Sequence, residues 1–381
     1  MIDGIVNEKK RCWAEIDVDA LRGNVAVARQ LGGGRAGIMA IVKANAYGHG
    51  LMEVAAALSG GVEMFGVANV AEAQTLRQAV PQAKIFILGA ALHWEREEIV
   101  RAGFIPCLSS LDEARLFDAI PSPSRLCAHV AVDTGMGRMG VWQDEAVETI
   151  REMMRLPHLE ISGIATHLPV ADEDDQYTAQ QIARFEKIVE QLRASGLQAP
   201  VIHSHNSAGV IRFGNRAGGI VRAGLMIYGV SPVPGFQDRL RPVMTLKTRV
   251  ILVREVAAGR NISYGRTFIT PRPMRVATLA VGYADGYPRT LSNHNAAVLI
   301  QGRRCPVLGR VTMDQTMVDV TDLHPVAPGD EVVLIGRQGD EEIPALELAG
   351  KAGTIVWEIF TGIKGRVERI YLQGEESSAR N

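Results

Sequence analysis

The segment "AIVKANAYGHG", residues 40–50, runs apolar and then breaks into Asn, Gly, His and Gly, with Lys43 at the seam. A lysine that ends a core strand must shed its hydration or reach a cavity, and either lowers its pKa toward the range where an amine can act as a base. The chain also offers Arg138 inside "GMGRMG" (135–140), His203 and His205 in "HSHNSAG" (203–209), and Tyr264 in "NISYGRTF" (261–268).

"GMGRMG" satisfies G-x-G-x-x-G after a strand, but a dinucleotide site needs that strand to open the fold and an acid about 20 residues on. Here it follows the fifth strand of a series, so the glycines read as a loop that presents Arg138. His203 and His205 lie two apart, on one face of a strand, as metal ligands could. No carboxylate or cysteine at matching spacing accompanies them, so they read as core histidines and no metal is expected. Asn206 and Ser207, at the turn into "AGVIRF", form the sort of helix start that binds a phosphate. By residue type alone Tyr264 is a strand tyrosine, and Asp285 in "VGYADGYPR" (281–289) initiates a turn. Met313 and Asp314 in "GRVTMDQTMVDV" (309–320) read as ordinary strand and turn residues.

The elements that must position these residues come in two textures. From Ile38 to about Val230, short apolar runs alternate with amphipathic segments of helical period. The runs are "IMAIVK", "MFGVA", "KIFIL", "FIPCL", "LCAHVAVD", "ISGIATH", "VIHSH" and "GIVRAG". Eight such units fit an α/β fold of the (β/α)₈ TIM-barrel type better than an open doubly wound sheet. Lys43, Arg138, His167, Asn206 with Ser207, and Gly224 all fall at or just after strand ends, so a barrel collects them at one mouth. After the Pro- and Gly-rich linker "SPVPGFQDRLRP" (231–242) the texture becomes short strands and turns, a mostly β carboxyl-terminal domain. The expected division is 1–240 and 241–381, with a polar, frayed tail "QGEESSARN".

Composition narrows the partners. With 41 Lys and Arg against 42 Asp and Glu, the net charge of −1 offers no footprint for nucleic acid or an anionic membrane, and favours a small neutral or zwitterionic ligand. At 47% hydrophobic residues the chain can bury a sizeable core. The four cysteines are scattered without a Cys-x-x-Cys pair, and "MIDGIVNEKKRCW" lacks the apolar run of a signal peptide. A cytoplasmic location is the expectation.

Taken together, these stretches resemble the alanine racemases. The likeness covers nearly the whole chain: "WAEIDVDAL" (13–21), "AIVKANAYGHG", "VDTGMGRMG" (132–140), "THLPVADE" (166–173), "HSHNSAG", "VRAGLMIYGVSP" (221–232), "ISYGRTF" (262–268), "VGYADGYPR" and "GRVTMDQTMVDVT" (309–321). The resemblance implies an amino-terminal barrel, a carboxyl-terminal β domain that residues about 11–18 join, pyridoxal 5'-phosphate (PLP) as cofactor, and D-alanine for peptidoglycan precursors as product. It makes Lys43 the cofactor-binding lysine and one of two acid/base groups. Tyr264 becomes the other, reaching in from the partner of a homodimer. Tyr47, Ser207, Gly224 and Leu225 would hold the cofactor phosphate, with Asn206 beside them. Arg222 would face the pyridine nitrogen with His203 behind it, and His167 would link Tyr264 to that arginine. Arg138 and the second subunit's Met313 would hold the substrate carboxylate and the cofactor's phenolic oxygen, while Tyr283 and Asp314 complete the entrance.

The chemistry explains the residue types. Racemisation removes an α-proton and returns one on the opposite face, and PLP disperses the charge left behind, so two bases on opposite faces are needed. An arginine at the ring nitrogen does not surrender a proton, which limits charge drawn into the ring and the transamination that follows. Two positions depart from the family pattern. Many members carry a lysine, often carbamylated, seven residues before the substrate arginine, where this chain has Ala131. Arg138 is then oriented by an anion or a neighbouring side chain. Many also have a tyrosine directly before "RVPR", where "TGIKGRVER" places Gly365. A wider pocket makes serine, or a broader range of amino acids, the alternative substrate.

Two other classes share parts of this pattern. A noncatalytic PLP carrier would normally end with the barrel. A PLP decarboxylase would place an acid opposite the pyridine nitrogen, and a retro-aldol enzyme would want a metal constellation.

Overall fold

The computed structural model describes residues 10–374, apart from 35, 198–200, 215–218 and 324. The expected polar tail lies almost wholly outside them. Among these residues two compact units emerge, one within 20–46 and 51–241, the other within 10–19, 47–50 and 242–374.

The first unit is a near-barrel of eight parallel strands. In spatial order these are Ile220–Ala223, Gly37–Ile41, Met64–Val67, Ile85–Ile87, Ile105–Leu108, Leu126–Asp133, Leu159–Ala165 and Val201–His203. At the seam between the last and the first, the Arg222 N–H donates to the His205 carbonyl at 3.0 Å. Each run expected from the sequence is a strand, because a parallel strand covered on both faces needs unbroken apolar side chains. Four of the connecting helices begin at side-chain caps: Asn69 accepts from the Glu72 amide, Ser110 from Glu113, Asp174 from Tyr177 and Asn206 from Gly209.

The second unit is built on the thirteen-residue strand Met244–Val256. Cys12–Asp17 lies antiparallel to it and parallel to Glu368–Leu372. A register shift between Val250 and Leu252 bends the long strand, so its first half pairs with Glu331–Gln338 and its second with Met274–Leu279. Two helices, Ala345–Ala352 and Val356–Thr361, interrupt the expected β texture. Their apolar residues fall between turn signals too close together for the helical period to stand out. No described helix is long and apolar enough to cross a membrane.

Candidate active site

Lys43 follows the strand Gly37–Ile41 and is half-buried at that strand's carboxyl end. The chain then makes a left-handed turn, with φ of 53° at Ala44, 56° at Asn45, 52° at Ala46 and 50° at Tyr47. Each such residue costs about 1–2 kcal/mol, so the turn must be held from outside. Glu72 holds it, one carboxylate oxygen accepting from the Ala44 amide and the other from the Ala68 amide, both at 2.8 Å. The Asn45 side chain accepts from the Leu51 amide at 2.9 Å. Burial lowers the Lys43 pKa, the Arg138 charge lowers it further, and Glu72 opposes both. The result is an amine more readily deprotonated than a surface lysine.

Arg222, on Ile220–Ala223, is 5% exposed. Its NH1 donates to the His203 carbonyl and stands 3.1 Å from His203 Nδ1. Its NH2 donates to the carbonyls of Thr166 at 2.7 Å and Ser204 at 3.0 Å, and stands 3.2 Å from His167 Nδ1. A guanidinium only donates, so both Nδ1 atoms carry lone pairs. His203 Nε2–H therefore donates to His129 Nδ1, 2.8 Å away, and His167 keeps its proton on Nε2. Burial first, then the charges of Arg222, Arg138 and Lys43, push the His167 pKa down to about 3. Burial draws Arg222 down to about 10, which leaves it charged at neutral pH. Its Nε–H has no hydrogen-bond partner among the described residues.

The strand Val201–His203 ends two residues before His205. His203 and His205 therefore do not share a strand face, and His205 Nδ1 meets Ser204 Oγ at 2.8 Å instead. Asn206 caps the next helix and donates to the Leu168 carbonyl at 3.0 Å. Ser207 Oγ accepts from the amides of Gly224 at 3.1 Å and Met226 at 3.4 Å, and Leu225 opens a 3₁₀ turn beside them. Both amides are thus taken up by Ser207, whose own hydroxyl hydrogen remains to donate, at a helix start of the kind that suits an anionic phosphate. Tyr47 is buried, which pushes its phenol up to about 12.

The loop around "GMGRMG" is organised by Asp133. Its carboxylate accepts from the amides of Gly135, Met136 and Gly137, each at 2.8 Å, and of Arg138 at 3.2 Å. Tyr177 braces the same loop, its hydroxyl donating to the Gly135 carbonyl at 3.0 Å. Arg138 itself is an exposed residue.

The β unit carries the other site residues. Tyr264 is 70% exposed and Met313 53% exposed. The Tyr283 amide donates to the Thr312 carbonyl at 3.0 Å and the Ala284 amide to the Met313 carbonyl at 2.9 Å, zipping two loops together. Gly282 permits this approach, since a Cβ there would collide with both of those carbonyl oxygens. Arg366 pairs with Asp285 through Nε at 2.5 Å and with Asp314 through NH2 at 2.7 Å. Asp285 also accepts from the Gly282 amide at 2.8 Å, so it closes a turn and anchors an arginine as well. Glu72, His129, Asp133 and Arg366 belong to this arrangement without standing among the residues expected from the sequence. Asp133 alone carries a local signal, an aspartate directly before a glycine-rich turn.

Comparison with known proteins follows the same division. The family model for the alanine racemase N-terminal domain matches residues 16–232, and that for the C-terminal domain matches 243–371. A protein of Symbiobacterium thermophilum named alanine racemase is 46% identical over 368 residues, covering 94% of this chain and 96% of its own. The solved alanine racemase of Clostridium difficile 630 superposes with a TM-score of 0.90 at 34% identity, covering 97% of each chain. That of Bartonella henselae, solved with covalently bound pyridoxal phosphate, has a TM-score of 0.86 at 31% identity and covers 95% of this chain and all of its own (100%).

Proposed function

The chain belongs to the alanine racemase family and interconverts L- and D-alanine with PLP; on that premise we propose that it does so with Lys43 and Tyr264 as its two bases. When bound, PLP supplies an electron sink for the charge left as the α-proton departs. Lys43 takes or returns that proton on one face. Tyr264, supplied by a second copy of the chain, serves the other, and its 70% exposure leaves the phenol free to reach outward. His167, with its proton on Nε2, donates toward that phenol and steadies it as a phenolate.

The observation that carries this reading is the engagement of Arg222. Carbonyls and imidazoles take up its NH1 and NH2, and Nε–H is left as a donor for an acceptor such as a pyridine nitrogen. An arginine there donates a hydrogen bond without giving up its proton, which restrains charge flow into the ring. No acid occupies that position, as a decarboxylase would require. Ser207, Gly224, Leu225 and Tyr47 hold the phosphate, Asn206 fixes the helix start, and His203 steadies Arg222 from behind. Arg138, with Met313 supplied by a second copy of the chain, holds the substrate carboxylate and the cofactor's phenolic oxygen, and Tyr283 and Asp314 narrow the entrance. Four unpaired cysteines and the absence of a spanning helix among the described residues support a cytoplasmic setting.

The test is L-alanine in heavy water with PLP-loaded protein. D-alanine labelled at the α-carbon is expected. Carbon dioxide or an aldehyde in its place, or no α-exchange, overturns the reading.

A further inference from the structure

Tyr264 stands on unusual backbone. Ser263, just before it, has φ 64° and ψ −175°, a combination that only glycine adopts without strain. Gly265 and Arg266, just after it, have φ of 73° and 51°. Something outside this stretch must impose that path. Ser263 Oγ donates to the Arg310 carbonyl at 2.5 Å. The flat guanidinium of Arg310 lies against Gly265, where a Cβ would stand 2.7 Å from NH1 and 2.8 Å from Cζ. Among the described residues no carboxylate pairs with Arg310, so its side chain is placed by packing on this turn.

We infer that Ser263 and Arg310 are positioning residues for Tyr264: the hydroxyl tether and the stacked guanidinium fix the direction in which the exposed phenol leaves its own unit. The inference rests on Tyr264 acting as a base. An exposed tyrosine on free backbone would sweep several ångströms at its hydroxyl, and a misplacement of about 1 Å costs on the order of a hundredfold in rate. Strain at Ser263 is tolerated because relaxing it would turn the phenol away. Neither Ser263 nor Arg310 touches the reacting atoms.

The test compares PLP-loaded wild type with Ser263→Ala, Ser263→Gly and Tyr264→Phe. Glycine accepts the same φ and ψ, so Ser263→Gly keeps the fold even if Ser263→Ala does not. Both serine variants are expected to raise amide hydrogen exchange across 262–267 about tenfold, leave the cofactor absorbance unchanged, and lower kcat about tenfold with KM for alanine within twofold. Exchange of the α-proton with solvent should fall about tenfold for the enantiomer that Tyr264→Phe disables, and stay within twofold for the other. Equal loss for both enantiomers, or unchanged amide and α-proton exchange, overturns the positioning role. If Tyr264→Phe leaves both exchanges intact, it is the base assignment that falls; the amide exchange of the serine variants still reports the tether.

Discussion

The backbone amide of Arg138 donates to the Asp133 carboxylate at 3.2 Å, the last of four consecutive amides gathered by that one side chain. Hydrogen bonds to a charged group contribute about 1.5–3 kcal/mol each, and an asparagine here removes the charge and one acceptor oxygen. Asp133→Asn should therefore loosen the loop that presents Arg138. With Arg138 proposed to meet the substrate carboxylate, KM for alanine should rise about tenfold while kcat changes less, which steady-state kinetics would show. An unchanged KM would mean that the loop keeps its shape without the carboxylate.

Lys43 and Tyr264 are separable by exchange. Alanine enantiomers are equal in free energy, so any variant lowers kcat/KM equally in both directions; α-proton washout is what distinguishes the two bases. Lys43→Ala should abolish the cofactor's bound absorbance band. Tyr264→Phe should keep the band and lose washout by at least about a hundredfold for one enantiomer, the scale of a general base removed. Symmetric loss of washout would count against two bases.

His129, His203 and His205 make the barrel unit sensitive to acid. All three are buried. Burial holds His129 at about 3 and His205 at about 4, and keeps His203 well below its ordinary 6.5. As pH falls through about 6.5 the unfolded chain takes up protons that the folded chain does not, so stability falls by up to about 1.4 kcal/mol per pH unit for each histidine. Above that pH neither state is protonated at these rings and the contribution is flat. Urea unfolding followed from about pH 7.5 to about pH 5 should show the decline, and His205→Gln should make it shallower.

Gly365 sits in open space. No heavy atom lies within 4 Å of where its Cβ would be, and it is not among the glycines of positive φ. Gly365→Tyr should fold with unchanged thermal stability. If the missing aromatic widens the pocket, the variant should lose racemisation of serine relative to alanine by about tenfold, the scale on which an apolar wall discriminates a hydroxyl. An unchanged serine-to-alanine ratio would place the limit of the pocket elsewhere.

The barrel strands were legible because a strand buried on both faces leaves an unbroken apolar run, as in Ile38 to Val42, whatever surrounds it. Lys43, Arg138, His167 and Gly224 could be placed at strand ends for the same reason, and the family motifs supplied their roles. Other features have no local signature. Ala44 to Tyr47 turn left-handed without a glycine, because Glu72, 28 residues on from Ala44, holds the Ala44 amide. Arg222 takes its orientation from Thr166 and His167, 56 and 55 residues back. Ser263 keeps its glycine-like backbone through Arg310, 47 residues along the chain. Apolar periodicity is a property of neighbouring residues, and so the sequence by itself determined the strands and the order of the site residues along them. Backbone strain, tautomers and the donor left on Arg222 depend on partners brought together by folding, and only the tertiary structure decided them.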